Sequence, residues 1–125
     1  MPTNYEMVRE FHQVFNHPIA SIPAFPTEEL IKLRGDLISE ERSELSDAEE
    51  QRDIVGVADA LSDLLYVIYG MGLVYGIDLD KTFQEVHRSN MSKLGADGKP
   101  IYREDGKVLK GPNYTPPDLK KVLGL

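Results

Sequence analysis

Apolar residues along most of this chain recur every three or four positions, the interval that keeps them on one face of a helix. Tyr5, Val8, Phe11, His12 and Phe15 form one such stripe and predict a helix over about 4–16. HPIASIPAFP follows, and its three prolines cannot be helical. Thr27 is an N-cap residue, and the Glu28–Glu29 pair after it suits the positive end of a helix dipole. Leu30, Leu33 and Leu37 then mark the inner face of a second helix over about 28–46, with 47–52 as a turn or a continuation restarted by Ser46 and Glu49. Residues 53–75 are apolar nearly all round, which predicts a third helix buried on every side. A chain of 125 residues can hardly surround such a helix by itself, so a second subunit is expected to cover Leu61, Leu64, Leu65, Ile68 and Met71. A fourth helix is expected over about 79–94, with Leu79, Phe83, Val86, His87 and Met91 facing inward.

From about residue 95 the pattern stops and glycine and proline take over. The Asp105–Gly106 pair signals a tight turn in a short hairpin, and PPDLKKVL offers a last helical turn. The expectation is one all-α domain over residues 1–125. Its core is like a four-helix bundle and is assembled through oligomerisation, with an irregular C-terminal tail.

Charge sharpens the picture. The net charge is −7, but residues 28–63 hold twelve acids against four bases, whereas 93–110 hold five bases against three acids. An acidic middle argues against a nucleic acid polymer as partner. There is no cysteine, so disulfides, thiolate metal sites and a Cys nucleophile are excluded. The N-terminus lacks the pattern of a signal peptide, and the apolar stretch around Ala60–Ile77 is broken by Ser62, Asp63 and glycines, so a soluble cytoplasmic protein without a membrane span is expected.

The second stripe carries the chemistry. Continued past Leu37, it reaches Glu40, Glu41 and Glu44, which share one helix face; Asp59 and Asp63 share a face of the third helix. Carboxylates on a core face need compensation. One source is a network with Arg34, Arg42 and Arg52; the other is a hard cation, Mg²⁺ or Mn²⁺, which suits an all-oxygen set. A di-iron site is disfavoured because no histidine lies three residues after a glutamate. Since Mg²⁺ commonly binds through substrate phosphates, the set points to a polyphosphate substrate, met by Arg88, Asn90 and Lys93 and by Lys107 and Lys110 in the tail.

Glu40-Glu41-x-x-Glu44, with ADALSDLLYVIYG, GIDLDKTFQEVHRSNMSKL and GKVLKGPNYTPPDL, resembles the all-α NTP pyrophosphohydrolase superfamily of MazG, dimeric dUTPases, dCTP pyrophosphatases and phosphoribosyl-ATP pyrophosphohydrolases. The resemblance spans about residues 28–119. It implies that Glu41, Glu44 and Asp63 hold Mg²⁺ with Glu40 turned toward water or a second metal, and that a nucleoside triphosphate is cut between its α- and β-phosphates; for that hydrolysis Glu40 or Glu41 is the carboxylate expected to activate water. It implies a dimer or a dimer of dimers. The family's ExxD motif meets Asp63 but places its glutamate at Ala60, one residue after Asp59, which is the nearest substitute. Two alternatives follow: a non-catalytic nucleotide-sensing or interaction module, and a true phosphoribosyl-ATP pyrophosphohydrolase.

Overall fold

A computed structural model describes all 125 residues. It contains four main helices and no sheet: α1 (Asn4–Val14), α2 (Glu28–Glu50), α3 (Ile54–Tyr75) and α4 (Leu79–Met91), with a single terminal turn, α5 (Leu119–Val122). The chain divides into two compact units, residues 1–79 and 80–125.

In the first unit α3 is the shared wall, against which both α1 and α2 pack. Local chemistry sets the boundaries. Thr3 and Glu6 form a reciprocal capping box at the start of α1. Thr27 caps α2 as its sequence suggests, accepting from the Leu30 N–H. Helix α2 runs on to Glu50 without a break, because Ser46 donates back to the Arg42 carbonyl instead of capping a new helix. Asp53 takes that role for α3, accepting from the Gly56 N–H at 3.1 Å. Gly76 ends α3 at φ 71°, and a Cβ there would lie 2.1 Å from the Ile22 carbonyl oxygen, so the position needs glycine on two counts.

The α2–α3 seam has a seven-residue register. A Cβ on Gly56 would stand 3.1 Å from the Ala48 Cβ. Seven positions along each helix, Glu41 meets Asp63. Seven further, a Cβ on Gly70 would stand 2.7 Å from Nη1 of Arg34. As α2 positions fall, α3 positions rise, so the helices are antiparallel, and two turns bring each back to nearly the same face. The packed stripe of α2 is therefore Ile31, Arg34, Ile38, Glu41, Leu45 and Ala48. The expected stripe is rotated by about one position: Leu33 is exposed, as are Glu40 and Glu44.

Burial corrects two other stripes. On α1, Tyr5, Val8 and His12 are buried but Phe15 is exposed. Tyr5 and Val8 form the core with Leu73, flanked by Ile19, Tyr69 and Leu79. On α4 the packed positions are Thr82 and Ser89, while Phe83 is 71% exposed and Val86, His87 and Met91 also face out. In the second unit the polar side of α4 is covered by the chain's own tail. Arg88 pairs with both Glu85 oxygens at 2.8 Å and also donates to the Thr115 hydroxyl and the Pro116 carbonyl. Glu85 accepts the Asp118 N–H at 2.7 Å, and Ser89 donates to the Thr115 carbonyl. The expected hairpin is reduced to one antiparallel bridge, Tyr102 to Val108, around Gly106 at φ 86°.

The Arg88 guanidinium, followed by the Asp118 amide, lowers the Glu85 carboxyl from its ordinary 4.5 to about 2. A lowered carboxyl pKa contributes fully above 4.5 and is lost as pH falls toward 2, so the latch holds at neutral pH. Glu85→Gln is expected to speed amide exchange over residues 115–122 at neutral pH while α2 and α3 stay protected. Unchanged exchange in the tail would show that the latch does not hold it.

Candidate metal and substrate site

Glu41, Glu44 and Asp63 each present a carboxylate oxygen, and these three atoms lie within 4.8 Å of one another. The seam register creates the meeting. Glu41 takes the place of a core residue on α2, Asp63 faces it from α3, and Glu44 stands one turn further along α2.

The electrostatics are those of acceptors without donors. Oε2 of Glu41 is buried and has no hydrogen-bond partner. Burial, then the adjacent Glu44 carboxylate, then the charges of Asp63 and Glu40, raise the Glu41 carboxyl from 4.5 to about 7. Asp63 is raised as well, by burial and then by Asp59 and Glu44. The arginine network weighed against a cation is not formed. Arg34 leans on Gly70 two turns away, and Arg42 reaches only Ser46. With three carboxylates, no imidazole or thiol among them, and an orphaned oxygen at the centre, these residues fit a hard divalent cation.

The other expected site residues divide clearly. Glu40 is exposed beside Glu41 and contributes to its raised pKa. Asp59 is exposed and acts on Asp63 through charge, outside the close trio. Ala60 is 2% exposed, and the register sets it level with Glu44 in the seam. In the second unit Arg88 is committed to Glu85, Thr115 and Pro116. The Lys110 ammonium lies over the Tyr114 ring at 4.8 Å from its centroid. Asn90 and Lys107 are exposed, and Lys93 is half-buried.

A second cluster has no counterpart in the reading of the sequence. Arg34 and His12 are both buried and converge on Gly70. Its signal lay in the open: an arginine seven residues before Glu41 on the same face, opposite a glycine in an apolar run.

The sequence model of the phosphoribosyl-ATP pyrophosphohydrolase family matches residues 8–90, which contain both clusters. The chain is 37% identical to uncharacterized protein L479 of Acanthamoeba polyphaga mimivirus over 97% of its own length. It spans only 48% of that relative, about half. The fold is similar to the crystal structure of a candidate NTP pyrophosphohydrolase from Exiguobacterium sp. 255-15, with a TM-score of 0.52, 30% identity, and coverage of 95% of this chain and 91% of that one.

The raised carboxyls predict a pH signature. The folded protein holds Glu41's proton up to about pH 7, whereas the unfolded chain releases it near 4.5, so this group's contribution to stability falls as pH rises through that window. Without divalent ions, the melting temperature is expected to drop between about pH 5 and 8, and Mg²⁺ should recover it. Glu41→Gln should flatten the profile. A flat wild-type profile, or one indifferent to both Mg²⁺ and the substitution, would contradict this electrostatic account.

Proposed function

The chain belongs to the phosphoribosyl-ATP pyrophosphohydrolase family, and from that premise we propose that it is a Mg²⁺-dependent nucleoside triphosphate pyrophosphohydrolase, with Mn²⁺ as a substitute. The observation that carries this reading is the Glu41–Glu44–Asp63 trio with its unpartnered buried oxygen. Glu41, Glu44 and Asp63 would hold the ion, with Asp59 adding negative charge beside them. When bound, the ion neutralises triphosphate charge and lowers the pKa of water.

The remaining chemistry falls to the chain's own groups. Glu40, exposed next to the trio, orients a water and accepts its proton. The water oxygen forms a bond to the α-phosphorus as the bond from that phosphorus to the bridging oxygen breaks. The products are a nucleoside monophosphate and pyrophosphate. Asn90, Lys93, Lys107 and Lys110 are proposed as partners for phosphate oxygens. Arg88 would first have to loosen its hold on Glu85. The family's own description supports a second reading, in which the triphosphate is phosphoribosyl-ATP.

A panel of dNTPs, NTPs and phosphoribosyl-ATP, assayed for pyrophosphate, separates the two. Pyrophosphate release from at least one nucleoside triphosphate is expected, abolished by excess EDTA. Glu41→Gln, Glu44→Gln and Asp63→Asn should each lower kcat by roughly a hundredfold. Orthophosphate as the product, or near-full activity in Asp63→Asn, would reject the assignment.

The same reading includes a homo-oligomer. Helix α3 is long and apolar enough to cross a membrane by length and composition. Leu61, Leu65 and Ile68, with Leu65 50% exposed, form an outward stripe on it, and Phe83 and Met91 another on α4. A second copy covering these residues is the occupant in keeping with a helix that also carries Asp59 and Asp63. Sedimentation is expected to show a dimer or tetramer at micromolar concentration without detergent. A stable monomer, or a protein soluble only in detergent, would reject it.

A further inference from the structure

A cavity of about 240 Å³ lies between α1 and α3. Asn4, Met7 and Val8 line it from α1, and Ser62, Tyr66 and Tyr69 from α3. Apolar walls with two phenol rings, one amide and one hydroxyl are the composition of a small-molecule site. Each ring is held by an aromatic neighbour on α1. Tyr66 meets Phe11 nearly edge-on, with centroids 5.6 Å apart, and Tyr69 meets Tyr5 at 6.4 Å. Met7, Ser62 and Tyr66 are exposed, so the cavity opens to solvent.

The cavity adjoins the carboxylates. Ser62 directly precedes Asp63, and Tyr66 follows Asp63 by one turn, which sets those two Cβ atoms about 5–6 Å apart. Asp59 stands one turn before Ser62, on the flank of α3 between the carboxylate seam and the cavity. Asp59, Ser62 and Tyr66 are all exposed, so no packed element separates the two. The cavity is smaller than the roughly 300–1,000 Å³ of a site that encloses a whole ligand, so it suits one part of a larger molecule. Ser62 donates to the Ala58 carbonyl at 2.8 Å, which leaves its oxygen as an acceptor, and the Asn4 amide can turn either way.

We propose that this cavity is the nucleobase site: the base lies against Tyr66 and Tyr69 with Met7 opposite, while the triphosphate meets the Glu41–Glu44–Asp63 trio. The proposal deepens the nucleotide hydrolase reading and rests on it for the ligand class. Recognition is through the shape and π-face of the ring. The Leu61–Leu65–Ile68 stripe lies about a quarter turn around α3 from the Ser62–Tyr66–Tyr69 wall. Leu65 forms the rim between them, so a second copy on that stripe would border the cavity without filling it.

The test is calorimetric titration, with Mg²⁺, of the α,β-imido analogues of dUTP and dATP, which resist cleavage at the α–β bridge. Each is compared with the same analogue carrying hydrogen in place of the base. For at least one of the two, the base is expected to tighten binding by roughly tenfold or more, the share that one stacked base supplies. Met7→Trp, which fills the cavity from an exposed position on α1, should cut that ratio below about threefold and leave the base-free ligand unchanged. Tyr66→Ala should do the same, and Tyr66→Phe should keep the ratio. Equal affinity with and without the base in the wild-type protein would overturn the proposal. So would a ratio untouched by Met7→Trp and Tyr66→Ala, or an equal loss of both ligands in these variants. A changed oligomeric state in Met7→Trp with the ratio intact would overturn it and give the cavity to a second copy. Pyrophosphate release from the cleavable parents, without a base-dependent ratio, overturns this inference and leaves the hydrolase reading. Base-dependent binding without pyrophosphate release does the reverse.

Discussion

The structure depends on the close packing of a helical seam that holds carboxylates together against desolvation and their mutual repulsion. Helices α2 and α3 run antiparallel in a seven-residue register, and small residues at both ends let the backbones close: Gly56 against Ala48, Gly70 beneath Arg34. Between them the same register forces Glu41 onto Asp63. Packing at the ends holds together charges that separate freely in solution. Burial in the seam first, and the neighbouring carboxylates after it, raise the Glu41 carboxyl to about 7, and a divalent ion is what would relieve both.

The constraint also explains why the two clusters lie where they do. Each departure from apolar residues on the α2 stripe, Arg34 and Glu41, falls on the heptad that faces α3. One is a cation without an anion and the other an anion without a cation, about two turns apart, and they do not neutralise each other.

Helix identity was legible in the sequence, since α1 to α4 begin within about a residue of where periodicity and caps place them. Helix facing was less so. Period alone cannot separate positions 33 and 37 from 34 and 38 when the stripe holds Leu33 on one flank and Ile38 on the other. The outward turn of Phe83 and Met91 is likewise invisible, because Ser89 and Ser92 look like a solvent face until the tail returns to hydrogen-bond them. The carboxylate trio was readable because acids on a core face are costly. Arg34 reads as a counter-ion for those acids, and only its place against Gly70, two turns away, shows otherwise.

Mn²⁺ binding followed by electron paramagnetic resonance probes the carboxylate seam most directly, because free and bound ions give distinct signals whatever the enzyme's substrate. The account predicts saturable binding that falls at least tenfold in Glu41→Gln and in Asp63→Asn, with the helical fold intact in both. Binding unchanged by either substitution, or no binding to the wild-type protein, would contradict the claim that the α2–α3 register builds a cation site.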